Sequence, residues 1–202
     1  MADTQDQKLD ERLEAWLNHR LDDLLPEKID KINSKKTPSL AIIATKGTMD
    51  WAYPPFILAS TASALGWDST VFFTFYGLEL LKKDLNLHVS PLGNPAMPMK
   101  MPFGPKWFKS INWNMPNLIM ASVPGFEIVA TSLMKKTVSN CGVATVGELR
   151  GLCLEADVKM VACQMTVELF GYSHSDFIDD VDYVGAASFL PVAQQSSCTL
   201  FI

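Results

Sequence analysis

The sequence is short of the residues and patterns that mark several common classes of protein. It contains only three histidines, which are far apart, and no two cysteines in a Cys-x-x-Cys pair. A structural zinc site needs four grouped ligands, so the sequence predicts no metal. Neither the Walker phosphate loop nor the GxGxxG fingerprint occurs, and we therefore expect no nucleotide or other cofactor.

Long hydrophobic runs are also missing. No segment approaches the ~20 uncharged apolar residues of a membrane-spanning helix. The first 20 residues carry five carboxylates, unlike a signal peptide. Four cysteines without a secretory signal are expected to be reduced thiols, so the sequence predicts a cytoplasmic protein. The net charge of −5 argues against binding to nucleic acid.

Charge is distributed unevenly along the chain. The first 36 residues hold 16 of the 39 charged residues, and between residues 8 and 25 leucines recur at three- and four-residue steps. This pattern predicts an amphipathic helical arm over residues 1–36, whose helix ends or kinks at Pro26. The arm is expected to pack on its own domain or on a neighbouring subunit. Its acidic polar face does not favour membrane contact.

The remainder, residues 37–202, alternates short apolar runs with helical patterns. The predicted strands are Ser39–Thr45, Ser69–Tyr76, Asn117–Val123, Val158–Cys163 and Cys198–Ile202. A helix capped by Thr48 or Asp50, with Pro54 and Pro55 in its first turn, is expected after the first strand. Alternating strands and helices predict an α/β fold with a mainly parallel five-stranded sheet covered on both faces.

A segment without acidic residues interrupts this alternation. Residues 85–126 contain no aspartate or glutamate but hold seven of the twelve prolines and five methionines. We predict a Pro/Met-rich insert at about 85–115, because a loop of this length in a compact domain is usually functional or interfacial. It either covers its own core or a subunit contact, forms a flap over the active edge, or makes a shallow membrane contact.

Cys163 is the first candidate for chemistry, because it closes a predicted buried strand and opens a short helix. A sulfur at that position meets the free N–H groups and the positive dipole end of the helix, and both favour the reactive thiolate. The alternative interpretation is a small buried hydrophobic residue.

Cys153 is the second candidate. It lies near the end of the helix that precedes the Cys163 strand, and helix and strand rises separate the two residues by on the order of 15 Å. A disulfide requires Cα atoms within ~7 Å, so one rigid subunit cannot form it. Cys153 therefore either relays sulfur across a subunit boundary or after movement, or packs in the core. Cys198 is expected to pack, and Cys141 is ambiguous.

Several motifs resemble the DsrE/DsrF/DsrH-like sulfur-relay family, most closely DsrE-like sulfurtransferases associated with sulfur oxidation. The matching segments are Ile42–Asp50 (IIATKGTMD), Ala52–Pro55, Phe72–Leu78 (FFTFYGL), Val123–Gly125, Ala162–Thr166 (ACQMT) and Thr199–Ile202. Together they span residues 40–202 and leave out the N-terminal arm.

This resemblance implies a flavodoxin-like three-layer α/β sandwich that forms homo-oligomers, trimers or tetramers among them. It implies sulfur carried as a cysteine persulfide or thiosulfonate. The family's acceptor cysteine falls on Cys163, and a further upstream cysteine of some members falls on Cys153. TusA-like sulfur carriers and rhodanese-like sulfurtransferases are the implied partners.

Three functional hypotheses follow. The first is a sulfur carrier or sulfurtransferase working through Cys163; if catalytic, it is a transferase of sulfur-containing groups. The second is a non-catalytic oligomeric adaptor that docks a partner through its arm and its Pro/Met-rich insert. A thiol peroxidase is the third, although the chain lacks a resolving cysteine within reach of Cys163.

Overall fold

The computed structural model describes residues 2–33, 36–90, 100–112 and 122–202. The chain divides into two compact units, Met1–Thr37 and Pro38–Ile202. Within the described residues, no helix is long and apolar enough to cross a membrane.

The first unit is one long helix, α1 (Ala2–Asn33), which continues through Pro26. Of the predicted end or kink at Pro26, the end is not observed. Proline removes only its own N–H from the helical bonds, and the strong helix formers Leu24, Leu25 and Glu27 flank it. Large apolar side chains of α1 are exposed, among them Leu13, Trp16, Leu17, Leu21, Leu24, Leu25 and Ile29.

The second unit is built on a five-stranded sheet in which every pairing is parallel. Its strands are β1 (Ser39–Ala44), β2 (Asp68–Phe73), β3 (Lys159–Cys163), β4 (Asp182–Val184) and β5 (Cys198–Phe201). Their order across the sheet is β4-β3-β2-β1-β5. The predicted α/β class and five-stranded parallel sheet are confirmed.

The predicted and the observed sets of strands differ in one member each. Except for its last two residues, Asn117–Val123 lies outside the described residues. Strand β4 was not predicted, because three half-exposed residues are too few to show an apolar pattern. The predicted insert at 85–115 also lies partly outside the described residues, which leave out 91–99 and 113–121.

Helices connect and cover the strands. They are α2 (Met49–Ala64), α3 (Lys106–Lys109), α4 (Phe126–Asn140), α5 (Val146–Glu155), α6 (Gln164–Phe170) and α7 (Ala186–Gln195), with 3₁₀ turns at Phe75–Leu81 and His174–Asp176.

The start of α2 differs from its prediction. Thr48 is the N-cap residue, but its side chain makes no capping hydrogen bond. The carboxylate of Asp50 instead accepts a bond from the N–H of Ser90 at 3.2 Å. Because the helix begins at Met49, Pro54 and Pro55 fall in its second turn rather than its first.

The sheet carries two cores of unequal size. Alternate strand residues such as Ile42 and Phe73 pack with α2 and α5 in the larger core. The smaller core consists of Ala41, Phe72, Val161, Cys163 and Phe189, the last contributed by α7. Because neighbouring residues of a strand point to opposite faces, these cores lie on opposite sides of the sheet.

Candidate functional site

The carboxyl edge of the sheet is held by backbone contacts between the loops after β1 and β2. The N–H of Thr74 donates to the carbonyl of Ala44 at 3.0 Å, and that of Gly77 donates to the carbonyl of Thr45 at 3.1 Å. A Cβ added to Gly77 would lie 2.2 Å from the oxygen of Ala44, and one added to Gly47 would lie 2.2 Å from the oxygen of Tyr76. Only glycine permits these approaches.

Cys163 lies at this edge, as the last residue of β3 and the N-cap residue of α6. Its side chain belongs to the smaller core beside Phe72 and Phe189, whose rings stack with centroids 4.5 Å apart. Only 3% of the residue's surface is exposed. The predicted position of Cys163 at a strand-to-helix junction is therefore the observed one.

Hydrogen bonds set the ionisation of Cys163. Burial raises the pKa of its thiol, but the side chain and N–H of Thr166, the hydroxyl of Thr74 and the N–H of Met165 lower it, and the net pKa lies below its ordinary value. The hydroxyls of Thr74 and Thr166 are also 3.1 Å from each other. Donors directed at a buried sulfur favour the thiolate, which is the nucleophilic form.

Cys153 has a different environment. It is fully buried on α5, in the larger core, and its Sγ donates to the carbonyl of Phe56 at 3.3 Å. Burial raises the pKa of the Cys153 thiol to about 11, although hydrogen bonds with Ser60 oppose the rise. Since Cys163 belongs to the other core, the sheet separates the two sulfurs, and the structure does not bring them together.

The two remaining cysteines also lie away from Cys163 along the fold. Cys198 is half-buried at the start of β5 and packs against the larger core, whereas Cys141 is exposed after α4. All four thiols are free. The described part of the chain contains no group of three or more His, Cys, Asp or Glu side chains able to hold a metal ion.

Exposed apolar side chains surround the edge where Cys163 lies. They form what we call the apolar rim: Phe75, Tyr76, Met165, Leu169 and Phe170. The ring of Phe170 contacts Phe75 edge-on at 6.4 Å and stacks with Tyr76 at 5.9 Å. Phe75 has a left-handed backbone, with φ of 49°, which costs roughly 1–2 kcal/mol for a residue other than glycine. Large apolar groups at such an edge are suited to contact with another protein.

Sequence reasoning missed Thr74 and Thr166 as partners of Cys163. They are distant in sequence and meet because β2 and β3 are neighbours, with Phe73 paired to Ala162. The available signal was a threonine directly after β2 and another within the first turn of α6.

The chain is similar to several known proteins. The family model described as the DsrE/DsrF/DrsH-like family matches residues 36–201. The sulfur carrier protein DsrE2 of Allochromatium vinosum is 57% identical over 163 residues, which cover 81% of this chain and 97% of that protein. The uncharacterized protein YrkE of Bacillus subtilis is 29% identical over 169 residues, which cover 84% and 99% of the two chains. The crystal structure of the ychN protein from E. coli covers 82% of this chain and all of its own, with a TM-score of 0.45 and 9% identity.

Proposed function

The chain belongs to the DsrE/DsrF/DrsH-like family, and we propose that it is a sulfur carrier that accepts and passes on sulfane sulfur on Cys163. The observation that carries this proposal is the environment of Cys163, a thiol at the carboxyl edge whose hydrogen bonds lower its pKa. The similarity to a sulfur carrier protein with 57% identity supports it.

The proposed chemistry is thiolate exchange. The Cys163 thiolate attacks the outer sulfur of a donor persulfide, forms a new S–S bond and expels the donor thiolate. An acceptor thiolate then attacks the outer sulfur on Cys163, takes it and returns Cys163 as its thiolate. Each step forms one S–S bond and breaks another, so no external oxidant or reductant is needed.

For Cys153 we propose a packing role. A thiol with a pKa of about 11 is almost wholly protonated at neutral pH, and Cys153 is enclosed in the larger core. A relay through Cys153 would require the core around α5 to open, and it remains the alternative prediction.

Partners are proposed from the chemistry of the edge. The apolar rim offers a contact surface for a protein donor or acceptor, and we propose TusA-like carriers and rhodanese-like sulfurtransferases for these roles. A chemistry that needs free thiolates favours a reducing compartment, so we propose a cytoplasmic location. We also propose a homo-oligomer, which would cover part of the exposed apolar surface.

Mass spectrometry of the loaded protein tests the proposed function. The purified chain is incubated with polysulfide or with a persulfidated rhodanese, and the adduct is measured in wild type, Cys163→Ser, Cys153→Ser and Cys141→Ser. We expect added sulfur in all but Cys163→Ser. An adduct that survives Cys163→Ser would contradict the assignment. Unchanged partner binding by Cys163→Ser, with no adduct on the wild type, would favour the adaptor instead.

A further inference from the structure

The apolar side of α1 is symmetric about Leu21. Leu17 and Leu25 lie four residues from it, one on each side, and both are exposed. Leu13 and Ile29 lie eight residues from it and are also exposed. We propose that α1 pairs antiparallel with α1 of a second copy of this chain, about a two-fold axis at Leu21. The pairing specifies one contact of the homo-oligomer proposed above, separate from any contact between the α/β bodies, and it does not depend on sulfur loading.

The apolar side of α1 needs a covering surface. The helix belongs to a compact unit of its own, Met1–Thr37, and the family match begins only at residue 36. Its large apolar side chains, which include Trp16 and Leu24 besides the five named above, are 43–61% exposed. A helix in a protein owes most of its stability to packing of its amphipathic face. The stability of α1 therefore depends on what covers these side chains.

The area of this side fits a second copy of the same helix. At 3.6 residues per turn, the large apolar side chains other than Trp16 lie within about 80° of Leu21 around the helix axis. They expose on the order of 500 Å² in each copy, so a pair would bury on the order of 1,000 Å², the size at which a specific interface begins. Steps of four residues also form the ridges by which helices most often pack.

Charge favours the antiparallel direction. Glu14 and Lys28 lie seven residues to either side of Leu21, which is close to two turns, so both are on its side of the helix. In an antiparallel pair about Leu21, Glu14 of each copy lies at the level of Lys28 of the partner subunit. A parallel pair would instead place like charges at the same level, and like charges across a contact are unfavourable.

Charge also favours this register. About Leu21, no two like charges in the sequence of α1 fall at the same level. An axis four residues earlier would match Glu11 with Asp23, and one four residues later would match Asp23 with Glu27. Exposed ion pairs contribute little affinity each. We therefore assign the binding to the apolar side, and the choice of direction and register to the charges.

Hydrogen exchange of α1 in the whole chain tests the pairing. Peptides from residues 12–29 report on this helix alone, so association elsewhere does not obscure the result. A single helix without packing exchanges its amides rapidly. We expect protection at high protein concentration that is lost on dilution, with a midpoint that gives an apparent Kd. Exchange that does not depend on concentration, whether fast or slow, would overturn the pairing.

Charge reversal tests the direction. Glu14→Lys and Lys28→Glu each turn two pairs of opposite charges into two pairs of like charges, and we expect each to raise the midpoint roughly tenfold. The double variant Glu14→Lys/Lys28→Glu, and an equimolar mixture of the two single variants, should both return close to the wild type. Within one helix the two residues are about 21 Å apart, so this recovery can arise only between copies.

Matched variants control for net charge and for helix propensity. Glu14→Lys/Lys8→Glu has the net charge of the swap, but Lys8 has no charged counterpart about Leu21, so we expect it to stay as weak as Glu14→Lys alone. Leu21→Asn removes the central apolar contact in both copies and should raise the midpoint by roughly tenfold or more. Ala15→Asn introduces the same residue outside the apolar side, at no smaller cost in helix propensity, and should leave the midpoint near that of the wild type.

The outcomes separate the pairing from the proposed function. Unchanged midpoints in both single reversals, or a swap no tighter than the mismatched double variant, would overturn the antiparallel arrangement. Equal effects of Leu21→Asn and Ala15→Asn would attribute the protection to helix propensity and overturn the pairing. Sulfur loading of Cys163 should be the same in all these variants. Normal pairing without sulfur loading of the wild type would contradict the proposed function alone.

Discussion

Cys163 and Cys153 are both buried, and their hydrogen-bond partners decide which of them ionises. Around Cys163, donors from Thr74, Met165 and Thr166 outweigh the effect of burial. Around Cys153, burial prevails and the thiol donates to the carbonyl of Phe56. We therefore propose a nucleophilic role for Cys163 and a packing role for Cys153.

Native-state alkylation should separate these two thiols. In the folded protein at neutral pH, we expect iodoacetamide to modify Cys163 and the exposed Cys141 before Cys153, because only the thiolate reacts and Cys153 is both protonated and enclosed. Peptide mass spectrometry of partially alkylated samples measures the order. Modification of Cys153 at the rate of Cys141, without unfolding, would contradict the packing role.

Cys153 also links stability to alkaline pH. Its pKa is about 11 in the folded chain against 9.0 ordinarily, so the folded state keeps a proton that the unfolded state loses between these values. The associated stability is complete below pH 9 and falls as pH rises towards 11, by at most about 2.7 kcal/mol. Cys153→Ser keeps a donor for Phe56 and does not titrate. Denaturant unfolding at pH 8 and pH 10.5 should show a smaller alkaline loss for this variant than for wild type.

At the scale of elements, the site depends on two loops that touch through their backbones. Gly77 and Gly47 allow the turns after β1 and β2 to approach, and this approach sets the position of Thr74. The sequence predicted β1, β2, β3 and β5 from their apolar runs and placed Cys163 at the end of β3. It did not predict the partners of Cys163, because contacts between neighbouring strands depend on strand order, which local patterns do not encode.

Gly77→Ala should destabilise the protein strongly. The new Cβ would lie 2.2 Å from the carbonyl oxygen of Ala44, and backbone atoms cannot yield as a flexible side chain does. We expect a loss of roughly 3 kcal/mol or more in the free energy of unfolding, the range of severe steric and backbone changes. Denaturant unfolding measures it.

Gly151→Ala is the control for that experiment. Gly151 lies inside α5, and apart from its chain neighbours and the helix's own backbone no atom lies within 4 Å of a new Cβ. Alanine is the better helix former, so we expect a gain of roughly 0.5–1 kcal/mol. Similar effects of the two substitutions would show that the loops do not depend on the close approach.

At the scale of the whole molecule, apolar surface remains exposed on both compact units. The sequence predicted the charged arm and the α/β body, and the boundary at Thr37 and Pro38 follows the change in composition. It did not predict α7. It also did not predict that α7 contributes a side chain to the smaller core. Pro191 lies inside this ten-residue helix, and an internal proline in the sequence argues against a helix.

The α7 side of the sheet is the expected site of self-association. Leu190 on α7 is 60% exposed, and Phe201, paired with Ile43 on the same face, is 75% exposed. We expect light scattering to give a mass above that of one chain and Leu190→Asp to lower it. Leu152→Asp, on the exposed surface of α5, should leave the mass unchanged. A monomeric wild type would contradict the expected assembly.

The most direct test of the sulfur-carrier account is to locate transferred sulfur on the chain. The protein is mixed with a persulfidated rhodanese, separated from it, trapped with an alkylating reagent and mapped by peptide mass spectrometry. We predict one extra sulfur atom on the peptide containing Cys163, and its loss when an acceptor thiol is added before trapping. Sulfur found on Cys153 or Cys141 instead, or sulfur on Cys163 that no thiol removes, would contradict the account.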